Sequence, residues 1–209
     1  MFSNIGRPMI LRSASASPFA RKVRIVATVL GLDRGIEIVA ADTADPNDTV
    51  RQQNPLGKIP TLVLDDGAVL YDSRVIVEYL DHLAGGGRVI PTESGARFAA
   101  LRLQALADGI MDASILQVYE ARWRDPAKHE AKWVDHQAGK VDRALSALEA
   151  SPPGVDRLPH IGQIAIACAL GYRDFRFAGT WRQNHPQLVT FLDAFAATVP
   201  AFAATRPDA

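Results

Sequence analysis

The chain has 209 residues, of which 48% are hydrophobic and 22% charged, an ordinary globular composition for one large domain or two small ones. Its 23 basic and 23 acidic side chains give a formal net charge of zero, which removes the basic excess expected of proteins that bind nucleic acids or anionic membranes. One cysteine excludes an internal disulfide, and no apolar run reaches the length of a membrane span, so we expect a cytoplasmic protein.

The first part of the chain alternates short strand-like runs with helical patterns. Apolar side chains at helical spacing precede Gly31, a residue type that commonly ends a helix. Asp65-Asp66-Gly67 lies between two apolar runs and is typical of a β-hairpin turn. The predicted strands are 8–12, 36–40, 61–64 and 68–71, and the predicted helices are 19–30 and 73–83. The predicted order is therefore β-α-β followed by β-β-α.

A glycine-rich stretch separates this part from the rest of the chain. It begins at Gly85-Gly86-Gly87, contains Pro91 and ends at Gly95, so we predict a linker at 85–95. Beyond it strand patterns stop, and the predicted helices are 96–119, 128–148, 161–175 and 186–197. Because strands and helices segregate, we predict an N-terminal domain at 1–84 and an all-helical domain at 96–209.

The loop after the first predicted strand carries three hydroxyl side chains. Ser13, Ser15 and Ser17 precede Pro18, which favours the first turn of a helix. Unpaired backbone N–H groups and the helix dipole make such a position favourable for an anion. A hydroxyl there can donate to a thiolate, but serine forms no disulfide, so the reactive thiol would belong to a ligand. The five histidines show no metal-ligand spacing, and we predict no metal site.

Two further segments of the N-terminal part have features of a peptide-binding site. Pro60 precedes a predicted strand and is a candidate for a cis peptide bond, which would leave the backbone of Ile59 free to pair with an extended ligand. Ser73 is the predicted N-cap of the next helix, with Asp72 beside it. A carboxylate next to an anion-binding helix start fits a ligand group with both charges, such as a free amino acid or a γ-glutamyl group.

These three segments, in this order, resemble the glutathione S-transferase superfamily. The resemblance is carried by SPFARKVRI, NPLGKIPTLVLDDG and LYDSRVIVEYLD, and it covers most of residues 9–83. In the second part, GQIAIACALGY resembles the central buried helix of that family, and HPQL and Pro200-Ala-Phe202 resemble its C-terminal run. The resemblance implies a thioredoxin-like βαβ-ββα domain packed on a helical bundle.

The same resemblance implies roles for individual residues. Ser17 matches the serine that activates the glutathione thiol, and Ser15 and Ser13 stay open as alternatives because some classes use an earlier serine. The implied glutathione-binding residues are Lys58 near the glycyl carboxylate, Ile59 and the cis-proline Pro60 at the cysteinyl part, and Asp72 and Ser73 at the γ-glutamyl group.

Two departures from the family pattern affect these expectations. The family more often has Glu where this chain has Asp72, and the shorter side chain loosens the expected ammonium contact. The capping box of the buried helix is usually Ser or Thr followed by Asp, whereas this chain has His160 and Gln163. Gln can fill the second role, but His is a poorer N-cap, so we expect a weaker helix start.

Several residues have a purely structural interpretation beside the functional one. One interpretation of Ser17, which precedes Pro18, is that it caps the helix and has no catalytic role. Cys168 lies in an apolar helical run that is typical of a core. We interpret Arg21 and Lys22 as a solvated helix face. For the aromatic residues Tyr119, Trp123 and Trp133 we favour a position in the helical core over one in an acceptor pocket between the domains. Arg122 and Arg124 are candidate substrate contacts, but the sequence gives no geometry for them.

The expected function is transfer of glutathione, as co-substrate, to a small apolar electrophile, of the kind used in detoxification. The resemblance also implies a homodimer. Two alternatives stay open: a non-catalytic binding or assembly module of the same fold, and another glutathione-dependent reaction such as dehalogenation, isomerisation or ether cleavage.

Overall fold

A computed structural model describes residues 8–207 of the chain. Its N-terminal half contains a four-stranded sheet in the order β2-β1-β3-β4. The strands are β1 (Met9–Ser13), β2 (Ile36–Ala40), β3 (Thr61–Val63) and β4 (Val69–Leu70). β1 pairs in parallel with β2, and antiparallel pairing joins β1 to β3 and β3 to β4. This mixed sheet, with the helices that follow, confirms the predicted thioredoxin-like fold class.

Eight α-helices accompany the strands in the described residues. They are α1 (Pro18–Val29), α2 (Val50–Gln53), α3 (Ser73–Leu83), α4 (Ser94–Trp123), α5 (Ala131–Ala150), α6 (Ile161–Phe177), α7 (Pro186–Thr198) and α8 (Pro200–Ala204). The predicted helices agree closely, but α4 extends four residues beyond the predicted end, and the short α2 and α8 were not predicted. Both are too short for apolar periodicity to be visible in the sequence.

The helical half is built around α6, which packs on α4 and, across the two halves, on α1. Every residue from Ile161 to Arg173 is buried, so this helix forms the centre of the core. Its approach to α4 is close: a Cβ placed at Gly162 would lie 2.7 Å from the Cβ of Leu103 and 2.8 Å from the carbonyl oxygen of Ala100. The sequence permits this contact only because a glycine stands there.

The start of α6 has both arms of a capping box. The Nδ1 atom of His160 accepts from the backbone N–H groups of Gly162 (3.1 Å) and Gln163 (3.4 Å). In return, Oε1 of Gln163 accepts from the backbone N–H of His160 at 2.9 Å. The unusual pair therefore makes the same reciprocal contacts as a Ser/Thr-based box, provided that Nδ1 carries no proton.

The first part of the segment between the two halves is anchored by hydrogen bonds, although most of its residues are exposed. The carboxylate of Asp81, which is buried, accepts hydrogen bonds from the backbone N–H groups of Gly87, Arg88 and Val89. The carbonyl of Val89 then accepts from the N–H of Ile161, at the start of α6. The boundary at 85–95 stays our prediction. None of the helices between residues 8 and 207 is long and apolar enough to span a membrane.

Candidate active site

Ser17 lies at the junction of β1 and α1 and caps the helix. Its Oγ accepts from the backbone N–H of Ala20 at 3.2 Å, and its own N–H donates to the carbonyl of Ala14 at 3.0 Å. A hydroxyl has one proton and two lone pairs, so this capping bond leaves the Ser17 proton available to a second acceptor. The structural and the catalytic interpretations of Ser17 are therefore compatible.

An open cleft, with about 500 Å³ of empty space when its solvent-filled mouth is included, brings the five predicted glutathione-binding residues together. Lys58, Ile59, Pro60, Asp72 and Ser73 all line it, although they come from two separate loops. The cleft is also lined by residues that the sequence analysis did not single out, among them Phe19, Asn54, Arg74, Asp108 and Asp112. The two loops therefore form the walls of one opening.

The loop before β3 is held in place by a small polar network. The Nδ2 group of Asn54 donates to the carbonyl of Lys58 (3.0 Å) and to Oγ1 of Thr61 (3.2 Å), and that hydroxyl donates to the same carbonyl at 2.9 Å. The Ile59–Pro60 peptide bond is cis, as predicted. Among residues 8–207, neither the N–H nor the C=O of Ile59 has a hydrogen-bond partner, so both are available to an extended ligand.

The start of α3 corrects one detail of the sequence analysis. Asp72, not Ser73, is the N-cap: its Oδ1 accepts from the backbone N–H of Arg74 at 2.9 Å. Ser73 is the first helical residue and its side chain is buried, whereas Asp72 is exposed at the cleft. An aspartate caps as well as a serine, and residue type alone does not decide between neighbours.

A buried ion cluster underlies the cleft and was missed by the sequence analysis. Asp108 on α4 is fully buried and contacts Nζ of Lys22 at 2.6 Å and Nε of Arg74 at 2.9 Å. The hydrogen bond to Asp108 raises the pKa of Arg74. One turn further along α4, burial raises the pKa of Asp112, and the negative charge of Asp108 adds to that effect.

Arg21 and Lys22 do not form a solvated helix face, so that prediction was wrong. The helical half covers that side of α1, and Lys22 is completely buried. The guanidinium of Arg21 donates to the carbonyl of Phe202 at 2.6 Å, stacks on its ring at 4.0 Å and also donates to Thr205. A helix face with charged residues in its sequence can be buried when a second domain supplies the partners for those charges. The sequence pattern of the first domain alone does not reveal such partners.

The serine loop borders a second, narrow cavity that has no room for a water molecule. Ser15 and Ser17 line it together with Arg21, Cys168 and Tyr172. Ser17 does not line the larger cleft, and Ser13 is buried at the end of β1. Cys168 is fully buried, as predicted, and burial raises the pKa of its thiol to about 11. That thiol is protonated at neutral pH.

The three aromatic residues at the ends of α4 and α5 are exposed, so the prediction that they fill the core was wrong. Tyr119, Trp123 and Trp133 are 40%, 61% and 41% exposed. Arg124 forms an ion pair with Glu120 at 2.8 Å. The centre of this half is occupied instead by α6, and the aromatic residues buried around it include Trp181, Phe191 and Phe195.

The comparisons with known proteins agree with this geometry. A family model described as the glutathione S-transferase N-terminal domain matches residues 16–83. The uncharacterised GST-like protein YibF of Escherichia coli (strain K12) is 33% identical over 206 residues, which is 95% of this chain and 98% of that protein. The chain belongs to the glutathione S-transferase superfamily.

Two solved structures of this superfamily are similar over almost the whole chain. A family member from Pseudomonas fluorescens Pf-5, solved with bound glutathione, is 43% identical with a TM-score of 0.88 and covers 96% of this chain and 100% of its own. A glutathione S-transferase from Methylobacillus flagellatus KT, also with glutathione bound, is 38% identical with the same TM-score and coverage. The two-part architecture of the glutathione S-transferases is thus shared along the chain.

Proposed function

We propose that this protein binds glutathione in the open cleft and transfers it to a small electrophile. The observation that carries the proposal is the convergence of Lys58, Ile59, Asp72 and Ser73 on one opening that contains both charges needed for the tripeptide. The similar proteins from Pseudomonas fluorescens and Methylobacillus flagellatus hold glutathione in their structures, which supports the same ligand here.

Each group of the tripeptide has a partner of matching chemistry in the cleft. The free N–H and C=O of Ile59 pair with the cysteinyl backbone as a neighbouring strand would. The carboxylate of Asp72 accepts from the γ-glutamyl ammonium, and the start of α3, at Ser73, receives the γ-glutamyl carboxylate. Lys58 neutralises the glycyl carboxylate. The cysteinyl thiol is then directed toward the start of α1.

The chemical step needs the thiolate of glutathione. The hydroxyl of Ser17 donates a hydrogen bond to the sulfur, and the N-terminus of α1 stabilises the negative charge. Both effects lower the pKa of the bound thiol below its free value of about 8.5. The thiolate attacks the electrophilic carbon, and the leaving group departs with the electron pair of the broken bond. Ser15 stays an alternative donor, because it lines the same small cavity.

The experiment combines glutathione calorimetry with turnover of a generic aryl chloride. Ser17→Gly removes the donor while keeping most of the helix cap, since glycine is tolerated at an N-cap. We expect kcat/KM at pH 6.5 to fall about 10- to 100-fold and the pH–rate profile to move up by roughly one to two units, with glutathione Kd changed less than about threefold. Ser17→Thr should retain most of the activity.

Ser15→Ala and Ser13→Ala are the matched controls. If Ser15→Ala lost activity and Ser17→Gly did not, the donor would be Ser15. If the wild-type protein did not bind millimolar glutathione, the whole proposal would be wrong.

A second candidate function is glutathione binding without catalysis. It is favoured by one observation, namely that Ser17 lies outside the lining of the main cleft and already caps α1. Wild-type binding without turnover of any aryl or alkyl halide would support it.

We also propose that the protein is a cytoplasmic homodimer. Light scattering coupled to gel filtration at micromolar concentration would distinguish a dimer from a 22.6 kDa monomer.

A further inference from the structure

The C-terminal segment of the described chain packs against the helix that begins at the serine loop. This segment comprises α8 (Pro200–Ala204) and residues 205–207. The helices α1 and α8 are in contact, and Pro207 borders the narrow cavity beside Ser17. Because that cavity has no room for a water molecule, the end of the segment packs closely on the serine loop.

The side chain of Arg21 makes polar contacts from α1 to this segment. Its Nη2 donates to the carbonyl oxygen of Phe202 at 2.6 Å, and its Nε donates to Oγ1 of Thr205 at 3.3 Å. The guanidinium also lies 4.0 Å from the centroid of the Phe202 ring. Arg21 and Thr205 are both buried, and Arg21 forms no ion pair with a carboxylate among residues 8–207. The C-terminal segment therefore supplies the hydrogen-bond acceptors for this buried cation.

The neighbouring helices hold the Arg21–Phe202 pair from the other side. A Cβ placed at Gly171 of α6 would lie 2.6 Å from Nη1 of Arg21 and 3.3 Å from the Phe202 ring, so the glycine leaves room for the pair. The Phe202 ring also packs edge-on against Phe195 of α7, at 5.6 Å between ring centroids, and Phe195 is completely buried. The segment is therefore fixed to the core of the helical half, and Arg21 is fixed to the segment.

Arg21 lies in the first turn of α1, which is the turn that places the Ser17 hydroxyl. Its backbone N–H donates to the carbonyl of Ser17 at 3.0 Å, and the N–H of Ala20 donates to Ser17 Oγ at 3.2 Å. Helix ends fray unless tertiary contacts hold them. In α1 the Arg21 side chain supplies such a contact, four residues after Ser17 and on the same face of the helix.

We propose that Arg21 is a positioning residue for the chemical step: it fastens the first turn of α1 to the C-terminal segment and so keeps the Ser17 hydroxyl in the orientation that donates to the glutathione sulfur. This inference rests on the proposed function and extends it, because thiol activation then depends on Thr205, which lies 184 residues further along the chain than Arg21. Arg21 does not contact the sulfur; it acts through Ser17.

Conservative variants test the proposal against a matched control. Arg21→Lys keeps the positive charge, but a single ammonium cannot replace the two hydrogen bonds and the stacking contact together. Thr205→Val keeps the shape of the side chain and removes the hydroxyl that accepts from Arg21. The control is Arg182→Lys: Arg182 also makes two hydrogen bonds, to Asp174, and stacks on Trp181, but these partners belong to the helical half.

The pKa of the bound glutathione thiol reports on the Ser17 hydrogen bond and is measured from the ultraviolet absorbance of the thiolate against pH. We expect Arg21→Lys to raise this pKa by about 0.5–1 and to lower kcat/KM at pH 6.5 about 3- to 10-fold, with the glutathione Kd changed less than about twofold. Thr205→Val should act in the same direction and lower kcat/KM about twofold. Arg182→Lys should leave the thiol pKa and kcat/KM unchanged.

Combination with Ser17→Gly shows whether Arg21 acts through Ser17. In the Ser17→Gly background, Arg21→Lys should have no further effect on the thiol pKa, because the hydroxyl that it positions is absent. Equal effects of Arg21→Lys in the two backgrounds would overturn the proposal. It would also be overturned if Arg21→Gln raised the thiol pKa and Arg21→Lys did not, because the charge of Arg21 rather than its contacts would then act on the sulfur.

Amide hydrogen exchange tests the anchor without glutathione. The backbone N–H groups of Ala20 and Arg21 donate to Ser17, so we expect their protection to fall about 5- to 10-fold in Arg21→Lys and to stay unchanged in Arg182→Lys. Unchanged protection in Arg21→Lys would overturn the proposal. If the wild-type protein bound no glutathione but the protection fell as expected, the proposed function would be wrong, and the anchoring of Ser17 by the C-terminal segment would stand.

Discussion

At the scale of single residues, the same group often has a structural and a chemical function. Asp72 caps α3 through one carboxylate oxygen and lies exposed at the cleft, so the second oxygen is available to a ligand. Ser17 combines the cap of α1 with a free hydroxyl proton. In both cases the cap fixes the side chain, which lowers the entropy lost when a ligand binds.

His160 makes the start of α6 sensitive to acid. Burial lowers the pKa of His160 from its usual 6.5, and the weaker effect of Asp156 opposes this. The unfolded chain therefore binds a proton at His160 more tightly than the folded protein does. The contribution of the cap to stability is present above about pH 6.5 and is lost as the pH falls through the lower folded-state pKa. Protonation of Nδ1 removes the acceptor that caps the helix.

We expect His160→Ser to suppress this effect, because serine caps the helix without titrating in this range. Relative to the variant, the wild type should lose about 1 kcal/mol of unfolding free energy between pH 7.5 and 5. Urea unfolding of both proteins at several pH values measures the difference. Parallel stability curves for the two proteins would show that His160 does not titrate with folding.

At the scale of elements, the contact between α4 and α6 depends on Gly162. A methyl group there would meet the Leu103 side chain and the Ala100 carbonyl at under 3 Å, and the carbonyl belongs to a helix that cannot move cheaply. Gly109, on the exposed face of α4, has no atom within 4 Å of the position of an added Cβ.

These two glycines form a matched pair for substitution by alanine. Gly162→Ala should lower the unfolding free energy by about 1–3 kcal/mol, because the helices must separate. Gly109→Ala should raise it by about 0.5–1 kcal/mol, because alanine has the higher helix propensity and meets no neighbour. Chemical denaturation of both variants gives the two values, and a destabilised Gly109→Ala protein would contradict the packing described for α4.

The sequence correctly predicted those features of the fold that depend on the local residue pattern. β2 and α3 have the predicted bounds, and the cis bond before Pro60 was expected from the motif around it. The prediction failed where a partner from the other half decides the environment. Lys22 looked solvated because its partner, Asp108, lies 86 residues further along the chain. The aromatic residues at 119, 123 and 133 looked like core because hydrophobicity alone does not say which helix fills the centre.

At the scale of the whole molecule, the Lys22–Asp108–Arg74 cluster joins α1 and α3 to α4, and two of its members, Arg74 and Asp108, line the main cleft. Arg74 is 55% exposed at its side chain, whereas the other two residues are shielded from water. The attraction between the buried charges roughly offsets their lost hydration only while all partners are present. Loss of one member therefore costs more than the intact cluster contributes.

We expect Asp108→Asn to lower the unfolding free energy by about 3–5 kcal/mol, because it leaves the Lys22 ammonium buried without a counter-charge. Lys22→Met should cost less, since Asp108 keeps Arg74. The control is Arg97→Gln, which breaks the exposed pair with Glu78 and should cost at most about 1 kcal/mol. The double variant Lys22→Met/Asp108→Asn should recover part of the loss, so that, with the two single variants, a double-mutant cycle gives the coupling energy between Lys22 and Asp108. Equal costs for Asp108→Asn and Arg97→Gln would mean that water reaches the cluster, and that the cluster adds no more to the contact between the two halves than an exposed ion pair does.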